Sequence, residues 1–178
     1  MHKSGFTLVE LIVVIVILGV LSVTALPRFV DFSADAKRVS LQGLQGALKS
    51  ANQLIYAKAS VQGLQDEQSA TVTLEDGSTV ATQYGYLGYD SSSPSSGALQ
   101  MESLINFNLC HHLANASTCP DGEWLFDIDG SNIKFYHISV GFSPAVNNGG
   151  TEPLCYLQYE LPATEDDVPT YTLQSSEC

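Results

Sequence analysis

Glu10 asks more of its surroundings than any other residue in this chain. It closes the run Gly5-Phe6-Thr7-Leu8-Val9-Glu10 and enters an otherwise apolar stretch that lasts to Leu26. A carboxylate in hydrocarbon costs roughly 2.5–3.5 kcal/mol on insertion scales, so it needs a partner. A cut between Gly5 and Phe6 would make one, because the new amine stands at i to the i+4 of Glu10 on a helix. In a bundle of such helices the carboxylate of one chain can instead meet the amine of another. Pairing makes the buried charges tolerable, and every stagger that leaves them apart is penalised. The chemistry open to Phe6 and Glu10 is therefore electrostatic selection of one assembly register.

The other reactive side chains are four cysteines, Cys110, Cys119, Cys155 and Cys178, all beyond the apolar stretch. They can share one oxidising compartment, where disulfides persist. Three pairings are open. Cys110–Cys119 and Cys155–Cys178 each close a local loop and are the pairing expected. A metal site from Cys110, His111, His112 and Cys119 competes with it, but adjacent histidines after a cysteine fit no standard zinc spacing. Asp127, Asp129 and Asn132 invite calcium, yet the other ligands of an EF-hand loop are missing and Asp129-Gly130 already reads as a turn. No nucleophile elbow, zinc-protease helix motif, phosphate loop or dinucleotide fingerprint is present. His111, His112 and His137 join no catalytic constellation. The chain reads as a non-enzyme, with no cofactor and no resident metal.

Charge is divided as sharply as hydropathy. Residues 1–58 carry six Lys or Arg against three acids, while residues 59–178 carry Lys134 against sixteen acids, for a net −12. So acidic a second part is unsuited to nucleic acid, whose phosphates demand a basic surface. Phe6 to Leu26 is 21 residues, about 31 Å as a helix and enough for a bilayer core of about 30 Å. A plain signal anchor would explain that apolarity. A secretory signal cut near Val23-Thr24-Ala25 would explain it too. Neither accounts for Glu10.

Gly5-Phe6-Thr7-Leu8-Val9-Glu10, followed by Leu11 to Leu18, Gly19 and Pro27, closely resembles the N-terminus of type IV pilins. The likeness covers residues 1–58 well and the remainder in outline. Leu26-Pro27-Arg28-Phe29 and Leu41-Gln42-Gly43-Leu44-Gln45-Gly46-Ala47-Leu48 look like the mannose-sensitive haemagglutinin branch of that family. The resemblance implies that residues 1–5 are a leader and that a prepilin peptidase cuts after Gly5 and N-methylates Phe6. It implies that Glu10 pairs with the Phe6 amine of a neighbouring subunit in a helical homopolymer. It further implies an inner-membrane precursor with a periplasmic head, a pilus assembly machinery, an extracellular fimbrium of a Gram-negative bacterium, and a surface receptor such as a carbohydrate. A pseudopilin of a type II secretion machine shares the N-terminal chemistry, and a membrane-anchored carbohydrate-binding module is a third reading.

These residues need a scaffold, and the pattern supplies an α+β one. Residues 6–58 form a helical spine, with 6–26 as the transmembrane or filament-core half. In the amphipathic half, Leu41, Leu44, Leu48, Ala51 and Ile55 make one apolar stripe. Gly43, Gly46, Ala47 and Ser50 leave small residues on the opposite face. Pro27 removes the hydrogen bond to Val23 and Gly19 weakens the helix. By resemblance, the stretch between them can unwind in a filament. Residues 59–178 form a head with an antiparallel sheet covered on one face by the spine. A hairpin is expected at 71–82 with a tight primed turn at Asp76-Gly77. Strands follow at Trp124–Ile128, from Ile133 to Phe142, and through Cys155, Leu157, Tyr159 and Leu161, and residues 98–113 offer an ambiguous short helix. Asp90 to Gly97 reads as a loop and Asn115-Ala116-Ser117 as a chance glycosylation match. The closed loop Cys155–Cys178 has little that can build a core, and by resemblance residues 156–177 face solvent.

Overall fold

The structure is a computed structural model that describes residues 6–89, 101, 104, 105, 107, 109–111, 124–140 and 152–178; for 24–31, 110, 111 and 129 only the backbone is described. The pairing Cys110–Cys119, the loop at 90–97, His112 and Asn115 lie outside the described residues. Helix α1 spans Leu8–Gln62. The chain divides within it into two compact units, Met1–Ala36 and Lys37–Cys178.

In the second unit the apolar stripe does what its spacing demands. Leu41, Leu44, Leu48 and Ile55 are fully buried, Ala51 nearly so, and Ala59 extends the stripe by another turn. The helix outlasts the expected end by a few residues because a glycine, not the loss of periodicity, stops it. Gly63 takes φ +70°, its N–H donates to Ser60 O, and Leu64 N–H donates back to Ala59 O. That pair of bonds is a Schellman cap, which satisfies carbonyls the helix would otherwise leave open.

Among the described residues, eight strands follow in two sheets. Strands β1 (Ala70–Thr73), β2 (Thr79–Gln83) and β3 (Tyr86–Leu87) form an antiparallel meander. The first hairpin matches expectation except at its turn. Leu74 N–H donates to Ser78 O and Gly77 N–H to Leu74 O, so the connection is the three-residue loop Glu75-Asp76-Gly77. Gly77 alone in that loop has positive φ, which is the geometry of a type I turn closed by a glycine bulge rather than a primed turn. The primed turn lies at the next corner. Tyr84 (φ +49°) and Gly85 (φ +78°) both enter the left-handed region, between the paired residues Gln83 and Tyr86. A Cβ on Gly85 would stand 3.0 Å from Gln65 Cα and from the Tyr56 ring, so this corner is glycine for space as well as for conformation.

The larger sheet runs β4 (Leu109–His111), β5 (Trp124–Asp129), β6 (Asn132–His137), β7 (Cys155–Glu160) and β8 (Thr170–Ser175). Its pairs are antiparallel except β4 with β5, which are parallel. Residues 109–111, left open to a helix by the sequence, are thus strand. Beyond His137 the chain turns into a 3-10 segment, Ile138–Val140, rather than continuing as strand. Trp124, Phe126, Ile133, Phe135, Leu157 and Tyr159 project from this sheet into the core that the helix stripe fills.

One polar side chain sits inside that core. Asn52 is 3% exposed. Its Oδ1 accepts from Leu87 N–H at 2.8 Å and from the Tyr159 hydroxyl at 3.3 Å, and its Nδ2 donates to the Tyr171 hydroxyl at 2.6 Å. The Tyr159 hydroxyl also reaches Leu87 O at 2.7 Å. On the far face of the sheet, Lys134 Nζ donates to both oxygens of Glu152, and the Tyr136 hydroxyl donates to the same carboxylate. Burial alone would raise the Glu152 pKa; these donors outweigh it and hold the carboxyl below its usual range.

The C-terminal stretch corrects the expectation that it lacks core and faces solvent. Strand β8 pairs with β7 over six residues, Cys155↔Ser175 to Glu160↔Thr170. Leu157, Tyr159 and Leu161 are buried, and Tyr171 and Leu173 pack against the same core. The exposed part is the loop at Glu165, Asp166 and Asp167, where the Thr164 N–H and hydroxyl both donate to Asp167 Oδ2. Disulfide Cys155–Cys178 closes the end of the strand pair, Leu154 and Glu177 bond across it, and Lys37 Nζ donates to Cys178 O at 2.9 Å.

Asn52→Ala leaves the buried Leu87 N–H without its acceptor, and the head is expected to lose about 1–3 kcal/mol. A lower denaturant midpoint at unchanged m checks this. Replacing Cys155 and Cys178 together by alanine is expected to cost about 3 kcal/mol, through freedom returned to the unfolded chain across a separation of 23 residues. The same titration, with β7–β8 amide exchange, reads it out.

Candidate functional site

Helix α1 begins at Leu8 because Thr7 caps it. The Thr7 hydroxyl accepts from Glu10 N–H at 3.3 Å, while Glu10 Oε2 accepts from Thr7 N–H at 2.8 Å and from the Thr7 hydroxyl at 2.7 Å. This reciprocal pair is a capping box, which satisfies donors that the first turn leaves open. Glu10 is therefore not an orphaned charge in the single chain. Phe6 stands outside the helix, so the expected i to i+4 relation between its nitrogen and Glu10 does not arise there. The helix begins at Leu8, two residues after Phe6. Thr7 is the functional residue that sequence reasoning missed. Its signal was available, as a Thr-x-x-Glu ahead of an apolar run.

Downstream of this cap, every described large apolar side chain from Phe6 to Val23 is exposed, Phe6 at 79% and Val23 at 75%. No side of the helix in this stretch is polar, and a helix that is apolar all round belongs in a buried setting. Within it, the Ser22 hydroxyl donates to Leu18 O at 2.7 Å and so covers its own polarity. Among the described residues, no helix is long and apolar enough to cross a membrane. Gly19 has nothing within 4 Å of where a Cβ would lie. The backbone is helical through both Gly19 and Pro27. Gly5 lies outside the described residues.

The remaining candidates are dispersed. Cys155 and Cys178 are joined, at the closed end of the larger sheet and in the second unit. Asn132, considered for calcium, accepts from Gln158 Nε2 at 3.0 Å, and among the described residues no group of three or more potential metal ligands comes together. Two shallow grooves flank α1 in the second unit. One, of about 440 Å³, lies beside Lys49 and Tyr171, and the other, of about 300 Å³, beside Lys58 and Glu75.

Comparison with known proteins points the same way as the N-terminal geometry. Residues 1–26 match the model of the prokaryotic N-terminal methylation motif. The chain is 45% identical over 62 residues to the type IV narrow pilus major component PilA5 of Thermus thermophilus, a match covering 35% of this chain and 50% of that protein. It is 24% identical over 144 residues to the type IV major alpha-pilin of Moraxella bovis, covering 75% of this chain and 91% of the relative. The chain thus spans about half the length of the first relative and most of the second. No solved structure matches it. Nothing in these matches reaches the narrower mannose-sensitive haemagglutinin branch. The chain thus carries the methylation motif at its start, has a helix-and-sheet head closed by a disulfide behind it, and is similar to two type IV pilus subunits.

Proposed function

We propose that the chain is a structural subunit, the major pilin, of a type IV pilus, an extracellular filament made of many copies. The observation that carries this reading is the exposed apolar sleeve from Phe6 to Val23. Nothing described within the chain covers it, so its burial comes from outside, and contiguous apolar surface of this kind marks an association site. The precursor uses the sleeve to sit at the inner membrane, with residues 59–178 as a periplasmic head. Residues 1–5 are the leader, removed after Gly5 by a prepilin peptidase that methylates the Phe6 amine. Residues 6–58 then form the spine of the fibre, and 6–26 its core.

Processing changes what Glu10 can do. Before the cut its partners are two donors of Thr7 in the same chain. After the cut the nitrogen of Phe6 is a cation, and in a dry core a pair of opposite charges outweighs neutral donors. A neighbouring copy supplies that cation only in the correct stagger. Gly19 and Pro27 mark where the spine unwinds as the fibre extends. Disulfides Cys155–Cys178 and Cys110–Cys119 keep the head folded outside the cell. Adhesion, surface attachment, biofilm formation or motility follows from the fibre, with a surface carbohydrate as one class of receptor. The likeness of residues 26–29 and 41–48 to the mannose-sensitive haemagglutinin branch supports that finer assignment. No step in this reading asks the chain to be an enzyme or to hold a cofactor.

Filaments sheared from cells are expected to yield a chain beginning at N-methylated Phe6 by mass spectrometry. A mature chain beginning at Leu26 would return it to the ordinary secretory proteins. Glu10→Val is expected to abolish sheared filaments while the head keeps its fold. Wild-type fibres confined to the periplasm would mean a secretion pseudopilus, and a processed chain that stays monomeric would mean an anchored binding module.

A further inference from the structure

The two grooves beside α1 differ in a way that fits one against the other. Lys49 and Lys58 are nine residues apart, which at about 100° per residue places them on opposite flanks of the helix. On the Lys49 flank the groove is lined by Lys49, Gln53, Tyr86, Val168, Pro169 and Tyr171. The Lys49 ammonium lies 5.2 Å from the centroid of the Tyr171 ring, and among the described residues no carboxylate pairs with it. On the other flank the β1–β2 hairpin comes forward to Lys58, and its tip Glu75-Asp76-Gly77 is exposed throughout. The tip carries Glu75, which pairs with Lys58 of its own chain's helix through Oε1 and stays largely exposed, and Asp76, whose Oδ1 accepts from Ser78; it then narrows to a residue with no side chain.

Between the flanks runs the exposed face of the helix, and it is built for close approach. Gly43 and Gly46 lie on it, and a Cβ at either would meet nothing within 4 Å. Glycine is the weakest helix former after proline, and no packing inside this chain asks for it at either position. Ser50, Leu54 and Ala57 continue the same face and are exposed.

Resting on the structural-subunit reading above, we propose that the groove beside Lys49 receives the Glu75-Asp76-Gly77 tip of a second copy, in a head-to-tail contact repeated along the filament. Charge picks the occupant. Residues 59–178 carry sixteen acids against Lys134 alone, so stacked heads repel, and a cation presented by the helix is where an acidic element of a neighbour is drawn. Topology picks which element. Among the described residues, the other acidic loop, Glu165-Asp166-Asp167, runs directly into Val168 and Pro169 of the groove itself, so bringing it to the same groove of a partner would set two such loops against each other. That arrangement is isologous and closes as a dimer. The hairpin tip lies on the opposite flank, so its contact is heterologous and propagates from copy to copy.

Charge exchange in the full-length chain tests this, with sheared filament mass as the readout. Lys49→Glu is expected to lower filament yield at least tenfold, and so is the double change Glu75→Lys with Asp76→Lys. Combining all three is expected to restore filaments to near the wild-type level, since the reversed tip again meets an opposite charge. In detergent, each variant should keep the thermal transition of the wild type and its Cys155–Cys178 bond, which separates failed assembly from failed folding. Wild-type yield from Lys49→Glu, or no recovery in the combined variant while each parent remains folded, overturns the contact. Wild-type chains that form no filament at all overturn the structural-subunit reading, and the contact with it.

Discussion

Among the described residues, Asn52 is where the helix meets both sheets through buried polar atoms that cannot turn elsewhere. Its carbonyl oxygen takes the Leu87 N–H of β3 and the Tyr159 hydroxyl of β7, and its amide reaches Tyr171 of β8. Apolar packing by Leu48, Ala51 and Ile55 would tolerate small slips of the helix along the sheets, since dispersion contacts are non-directional. A buried amide with assigned partners does not. A slip that broke these bonds would leave polar groups dry and unsatisfied, which is the expensive outcome in a low-dielectric interior. The register of helix on sheet is thus set by hydrogen bonds, while the bulk of the driving force is apolar area.

The same helix faces a different problem at its other end. Thr7 and Glu10 satisfy each other locally, and this local bond weakens the simplest argument for an assembly role. A capped carboxylate at a helix N-terminus is stable without a partner chain, through both the cap and the helix dipole. What the cap does not explain is the fully apolar setting beyond it. An acid next to a sleeve of exposed valine, isoleucine and leucine must follow that sleeve wherever it is buried. There the competition is between two neutral donors of Thr7 and a full positive charge, and the charge prevails where water is absent. On the proposed filament reading, the local bond is a holding arrangement that keeps Glu10 satisfied until a cation is available.

Much of this was legible in the residues, where one local pattern decided one outcome. The 3-4 spacing of Leu41, Leu44, Leu48, Ala51 and Ile55 maps directly onto burial, and the bond Cys155–Cys178 follows from proximity in sequence. What escaped depended on tertiary context. The primed turn at Tyr84-Gly85 carries no Asn-Gly or Asp-Gly signal. It forms because Tyr84 N–H finds Glu67 O and Gly85 slips against Tyr56 and Gln65. The parallel pairing of β4 could not be read from three residues. Strand β8 is a different kind of miss, since Thr170-Tyr171-Thr172-Leu173 alternates as a strand should. The prolines and acids of the preceding loop obscure that alternation in composition, and Thr7 is obscured likewise by the charge three residues beyond it.

The two faces of α1 explain why its glycines sit where they do. A helix that served only its own head would bury one stripe and leave the opposite face to residues with high helix propensity, since packing decides nothing there. Gly43 and Gly46 are on that opposite face, each about 1 kcal/mol poorer than alanine, with open space around both. Alanine would fit at either without touching the rest of the chain, so the fold of the single subunit exerts no selection for glycine. On the filament reading proposed above, a constraint from outside the subunit would. In a shaft of parallel helices the nearest approach is set by the bulk at the crossing, and removing two methyl groups lets another backbone come close enough for its own side chains to pack. On that reading the stability given up in the monomer is returned through contacts that exist only once copies are stacked.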